Sequence, residues 1–249
     1  MKRNFITCGC IFFTCLLGMA SIAQEANGVK EKVQTANGFF AFQVGIPSTA
    51  MQRAIKNNMG NLGFGGGFAL LSNPFTWGKN KRNSPLRIGG EAGYTYYGRF
   101  LSDVNINGFH GDYKTSYGIL QLNALLQLRP THEEPITPFF ELLAGGSFYI
   151  SRIKQNLDLI ETSIGVETFD LDSYSSASFN KGVAIGCYIG NYQKKESPRF
   201  TIRLSYNRGN HIKYVVRNSL IYNAANNRLE YEVDRAPVSY FMVQIGIGR

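Results

Sequence analysis

From Gly38 onward the apolar residues return at every second position, the spacing of half-buried strands, and not at the three-to-four spacing of an amphipathic helix. Eight such runs are predicted, over 38–46, 61–71, 86–100, 115–129, 137–153, 180–193, 199–208 and 238–248. The spacers alternate in kind. Those after the second, fourth and sixth runs are bounded by prolines (Pro74 and Pro85, Pro130 and Pro135, Pro198), while those after the odd-numbered runs are generally longer and more elaborate. Turns at one end and long loops at the other are the rhythm of an up-and-down barrel, and an even strand number returns both chain ends to the turn side. The expected fold is all-β, an eight-stranded antiparallel up-and-down transmembrane β-barrel over 38–249.

The two faces of the runs decide what surrounds the barrel. In the fourth run Leu120, Leu122, Ala124, Leu126 and Leu128 oppose Gln121, Asn123, Gln127 and Arg129. In the seventh, Phe200, Ile202, Leu204 and Tyr206 oppose Arg199, Thr201, Arg203, Ser205 and Asn207. The third places Leu86, Ile88, Tyr94, Tyr96 and Phe100 against Arg87, Glu91, Thr95, Tyr97 and Arg99. A soluble barrel would turn the non-apolar face to water and load it with Lys and Glu. Here that face is small and sparsely charged, with Gly63, Gly65, Gly67 and Ala69 in the second run and Gly182, Ala184 and Gly186 in the sixth. Such residues suit a cramped lumen, so the apolar face is expected to meet lipid.

Composition agrees. Only 17% of the 249 residues are charged, with 27 Gly, 14 Tyr and 18 Phe, and no run after the first two dozen residues approaches the ~20 apolar residues of a spanning helix. The first 23 residues have the form of a secretory signal: a basic start at Lys2-Arg3, an apolar stretch from Phe5 to Ala20, and small residues at Ser21 and Ala23. Residues 24–37 are expected as a short periplasmic segment. The leader would remove Cys8, Cys10 and Cys15, leaving Cys187 as a small apolar filler with no internal disulfide. The formal net charge of +9 loses two units with Lys2 and Arg3. The remaining basic residues are dispersed at both ends, a pattern suited to anionic head groups and not to nucleic acid.

The leader, the Gly-Phe-Gly-Gly-Gly-Phe stretch at Gly63–Phe68, Gly-Gly-Glu-Ala-Gly-Tyr at Gly89–Tyr94 and the amphipathic last strand Tyr240–Gly248 resemble the small eight-stranded outer-membrane β-barrels of Gram-negative, Bacteroidetes-type envelopes. That resemblance covers nearly all of the chain after the leader. It implies location in the cell outer membrane and a task among envelope stabilisation, adhesion, lipid modification and assistance to secretion.

Candidate chemistry is sparse. Arg87, Glu91, Glu141 and Arg203 fall on the inward face of the periplasmic half, where buried ions must be paired, and are expected to form a structural charge network. An acid/base role for Glu91 and Glu141 would need substrate access that an eight-stranded lumen denies. The same narrowness opposes an open pore, although a narrow transporter or secretion accessory is one alternative. A lipid-modifying enzyme at the rim is another, through His110 or His211 with Ser151 or Ser219, although no spacing among them marks a catalytic set. No catalytic residue, metal site or cofactor is expected. On the outside, Asn210–Tyr222 and Arg228–Asp234 predict a hairpin with its turn at Asn226-Asn227, a protruding ledge on which Arg228, Glu230, Tyr231, Glu232 and Asp234 are candidates for binding a protein partner. Loop 154–179 carries Asp158, Glu161, Glu167, Asp170 and Asp172. Girdle aromatics are expected at Tyr94, Tyr96, Phe100, Phe139, Phe140, Tyr206 and Tyr240. The reading is a non-enzymatic, monomeric barrel in contact with outer-membrane lipids, lipopolysaccharide included.

Overall fold

The structure, a computed structural model, describes residues 36–55, 61–77, 82–106, 109–131, 135–155, 170–190, 198–216, 219–223, 225 and 228–248. The expected leader lies outside them, as do His132, Lys194 and the acids Asp158, Glu161 and Glu167. Eight long strands form the wall: β1 (Ala36–Pro47), β2 (Gly63–Ser72), β3 (Leu86–Ile106), β4 (Phe109–Leu128), β5 (Ile136–Gln155), β6 (Asp170–Ile189), β7 (Arg199–Val215) and β10 (Val233–Gly248). A helix α1 (Thr49–Ile55) follows β1, and a hairpin of β8 (Ile221–Asn223) and β9 (Arg228–Glu230) separates β7 from β10. Every neighbouring pair is antiparallel, and β1 closes the ring on β10 from Phe39 opposite Gly248 to Pro47 opposite Tyr240. Closure leaves no free edge in the barrel proper, the condition for putting a sheet into hydrocarbon.

Several strands run well past the expected limits at the loop end. β4 begins at Phe109 and β6 at Asp170, so the last ten residues of the expected loop 154–179 are strand. These extensions face water on one side and are rich in Ser and Asp, which erases the alternation that marks the lower halves. Their register simply continues that of the wall, as in Ser151 opposite Tyr174 and Ile153 opposite Asp172. Pairing of β6 with β7 stops at Asn180–Gly209, and that of β2 with β3 at Phe64–Tyr96. Above those rows the wall divides into a β3–β6 sheet and a β7–β10 ribbon, bridged where Lys213 N–H donates to Ser176 Oγ at 3.0 Å.

The faces follow the alternation except where a strand bulges, as in β7, whose register with β10 shifts between Pro237 and Ser239 and whose buried positions pass from Thr201, Arg203, Ser205 and Asn207 to Ile212 and Tyr214. Along β4, Gln121, Asn123 and Gln127 are buried while Leu122 and Leu126 are exposed; on β1, Phe40 is 77% exposed and its neighbour Phe39 3%. In β3 the register slips between Tyr96 and Gly98, where φ at Gly98 is +105°. The extra residue swaps the faces beyond it. Phe100, expected outward, packs against the core, and Arg99, expected inward, is exposed. Phe139 and Tyr240 also leave the expected girdle. Both lie inside, 3% and 0% exposed, because each shares parity with the inward residues of its strand. Tyr94 and Tyr96 remain on the outside. At the turn end, Trp77 is exposed and its Nε1–H donates to Ser72 Oγ at 2.9 Å, the posture of an interfacial tryptophan.

Candidate functional site

The lumen is filled in three layers. Nearest the turns, Phe39, Leu71, Leu125, Phe139, Leu143 and Tyr188 form an apolar base, with Phe139 and Tyr188 rings 4.7 Å apart. Arg129 stacks its guanidinium over Tyr188 at 5.6 Å.

The middle layer is ionic. Arg203 of β7 donates from Nε to Glu141 Oε2 at 2.6 Å and from Nη1 to Glu91 Oε2 at 2.5 Å. The same Nη1 reaches Gln244 Oε1. Both acids are held from their other oxygens: Gln127 Nε2 donates to Glu141 Oε1 at 2.7 Å, and Asn123 Nδ2 to Glu91 Oε1 at 2.6 Å. Gln127 also donates to the Tyr188 hydroxyl, Asn180 to Asn123, and Gln244 to Gln43, which in turn donates to Thr95. Arg203 and Glu141 are 1% and 0% exposed at the side chain. Three of the four predicted charges therefore meet at one point. Arg87 is buried on the same inward face, directly opposite Gln127 in the β3–β4 register. The surrounding amides, which turn a salt bridge into a network with each carboxylate oxygen partnered, were visible in the sequence only as generic polar positions.

The third layer is aromatic. Tyr97, Tyr117, Tyr149, Tyr214 and Tyr240 pack with Ile119, Ile212 and Met242, and α1 drops Met51 into them until nothing of it is exposed. Ser48 fixes the entry to α1: its N–H donates to Ser239 O at 2.8 Å, and its carbonyl accepts from Gln52 N–H. The side chains of Arg53 and Lys56 in that segment lie outside the described residues. Tyr97 explains two of the glycines in the lumen. A Cβ at Gly63 would stand 2.7 Å from Tyr97 Cε1, and one at Gly45 would fall 3.2 Å from Tyr97 Cζ.

The outer hairpin forms, and its base is tied to the mouth of the barrel. Leu220 is buried against Tyr113, Ile153 and Val215, with Tyr174 and Tyr231 packed alongside, so the segment folds back onto the mouth. Glu230 accepts from Asn223 Nδ2 at 2.8 Å. Asp234 belongs to β10 and accepts from the Tyr214 hydroxyl at 3.2 Å, which together with burial pushes the Tyr214 hydroxyl up to about 12, burial being the larger cause. Glu232 N–H donates to Ser219 Oγ at 3.0 Å while its side chain is exposed. The Arg228 side chain lies outside the described residues. The hairpin itself is legible in the sequence; its packing onto the mouth is not, because the apolar residues that make it, Leu220 and Tyr231, flank the hairpin singly.

The rim histidines sit on separate strands, and the His110 side chain lies outside the described residues. His110 and His211 lie in the extended parts of β4 and β7, not in loops. Ser151 is fully buried on the lumen side, and Ser219 Oγ donates to Val216 O at 2.6 Å. No group of three or more potential metal ligands occurs among the described residues.

Neither a protein-family model nor a curated protein matches the chain. Solved structures similar to it include a major outer membrane protein from Thermus thermophilus, with 10% identity and a TM-score of 0.48, covering 85% of this chain and 98% of that one. Neisserial surface protein A is similar at 11% identity and a TM-score of 0.40, covering 86% and 94%. The outer membrane protease OmpT from Escherichia coli is similar at 11% identity and a TM-score of 0.38, covering 90% and 98%. What this chain does must be read from its own residues. A closed ring whose outer wall presents Phe40, Leu70, Leu122, Ile202 and Ile245 while ions and amides sit inside is built for lipid on the outside, and antiparallel barrels of this design reside in outer membranes.

Proposed function

We propose that the protein is a non-enzymatic, monomeric outer-membrane barrel with a closed lumen that contributes to envelope integrity. The reading rests on one observation above all: Arg203, Glu91 and Glu141 join three separate strands across the lumen, with amides around them and a tyrosine layer and α1 above. Opening a path for solutes would mean separating buried ions, which costs several kcal/mol. Lipids of the outer membrane, lipopolysaccharide included, are its contacts, and nucleic acid is not.

The test is conductance of the refolded chain in planar bilayers. No steps above the bare-bilayer baseline are expected; sustained channels would replace this reading with the narrow transporter. Deletion of the gene is expected to sensitise cells to detergents and large hydrophobic antibiotics while leaving lipid A and phospholipid profiles unchanged. An altered lipid profile would establish the enzyme instead. Capture of a surface protein lost on trimming 219–232 would move the function to the hairpin, where Glu230 and Glu232 are exposed candidates.

A further inference from the structure

On the outside of the barrel, where the apolar wall of β3–β5 ends, a hollow of about 490 Å³ is lined by Tyr94, Tyr96, Lys114, Ser116, Arg152 and Lys154 among others. The registers place these side chains on one face. Arg99, Ser116 and Arg152 form a single row across β3, β4 and β5, and Leu101, Lys114 and Lys154 form the next row outward. Adjacent strands lie ~4.8 Å apart, so two guanidiniums on strands flanking Ser116 start about 10 Å from one another, with a hydroxyl between them. Arg99 is there only because the bulge at Gly98 turned it outward. Like charges in neighbouring rows repel, and Arg99, Lys114 and Arg152 have no ion-pair partner among the described residues. The acids of this face, Asp103 and Asp112, stand opposite each other two residues further out along β4, and Asp170 is the register partner of Lys154.

Below the cations the wall becomes apolar and shallow. Leu122 is flanked by Ala92 and Gly146, and in the next row inward Ala124 lies between Gly90 and Ala144. Small residues thus lie beside exposed Leu122 and Phe148, below the cationic rows.

We propose that this hollow seats a phosphorylated glycolipid of the outer leaflet, its phosphate held by Arg152 and Lys114 around the Ser116 hydroxyl, with Arg99 in the same row across β3, and its acyl chains lying along the apolar wall below. Arginine pairs suit phosphate oxygens because the guanidinium offers two parallel donors. The tyrosines beneath give the sugar ring a flat, amphipathic floor. The site rests on the membrane placement of the proposed function and adds to it a defined lipid.

The test uses the full chain in detergent micelles and native mass spectrometry with an acylated glucosamine disaccharide bisphosphate, against the same lipid with its phosphates removed. Retention of the phosphorylated lipid is expected to fall at least tenfold in R152Q/K114Q, and Ser116→Ala is expected to weaken it less. The dephosphorylated lipid should bind wild type and variant alike, and millimolar inorganic phosphate should not displace the phosphorylated form. Lys181→Gln with Arg208→Gln provides the control for charge alone, since that pair also faces outward, on β6 and β7, away from the hollow. Equal retention of the two lipids, competition by free phosphate, or an equal loss in the Lys181/Arg208 variant would each overturn the site. Unchanged heat-dependent gel migration shows that a variant is folded. Failure of the chain to float with vesicles would instead defeat the membrane reading itself.

Discussion

The middle and outer layers of the lumen solve the same filling problem by opposite means. Around Arg203 the barrel is packed with charge and amide, and each carboxylate oxygen of Glu91 and Glu141 has a donor. Around Met51 it is packed with tyrosine rings whose contact is mainly dispersive, and the Tyr97 hydroxyl has no hydrogen-bond partner among the described residues. The first depends on every member being present. The second depends on volume. Loss of one group should therefore be severe in the middle layer and graded in the outer one.

The largest effect is expected from Arg203→Ala, which strands two buried carboxylates and should destabilise the barrel by roughly 3–5 kcal/mol, read from the urea midpoint of gel migration. Replacing all three ions together, with E91Q, E141Q and R203M, should recover most of that loss. If the triple variant is as unstable as the single one, the charges are not acting as a unit. Next comes Met51→Ala in α1, a buried truncation worth about 2–3 kcal/mol, whose effect should concentrate in faster amide exchange across 48–55. Gly63→Ala should cost about 1–3 kcal/mol, because the added methyl meets Thr95 and Tyr97 together. Tyr97→Phe, by contrast, should leave stability within about 1 kcal/mol of wild type, and a large loss there would show that the outer layer too depends on polar pairing.

The smallest effect concerns pH at the mouth. The Tyr214 hydroxyl titrates later when folded, so the neutral phenol favours the folded state. Its contribution is complete below the unfolded value near 10 and fades as pH rises through about 12. Proteolytic protection of the β7–β10 ribbon should weaken over that window in wild type, and less so in Tyr214→Phe.

These two layers also differ in how plainly they are written in the chain. Glu91, Glu141 and Arg203 stand out because a charge on the polar side of an alternating strand has only the lumen to enter. Tyr97 shares that side, yet a tyrosine serves equally well in a lipid-facing girdle, and Tyr240 was legible in both ways. Beyond Gly98 alternation fails altogether, since one inserted residue exchanges Arg99 and Phe100 without altering the local pattern. A glycine inside a strand is the sole hint of such a bulge. The outer strand extensions were hidden for a related reason: with solvent on one side and loops close by, Ser173 to Ser178 has no apolar face to advertise. The inward fold of the hairpin depends on Leu220 meeting Tyr113 and Ile153, residues far apart in sequence, and local reasoning has no access to it.

The ion cluster also constrains how the molecule is made. Glu91, Glu141 and Arg203 come from β3, β5 and β7, so no single hairpin holds an acid together with its arginine, and Gln244 arrives only with the last strand. A half-curled sheet would present bare carboxylates and a bare guanidinium to the bilayer. Pairing of the charges and completion of the ring then coincide, and strands joined one residue out of step would turn these three side chains to the hydrocarbon face.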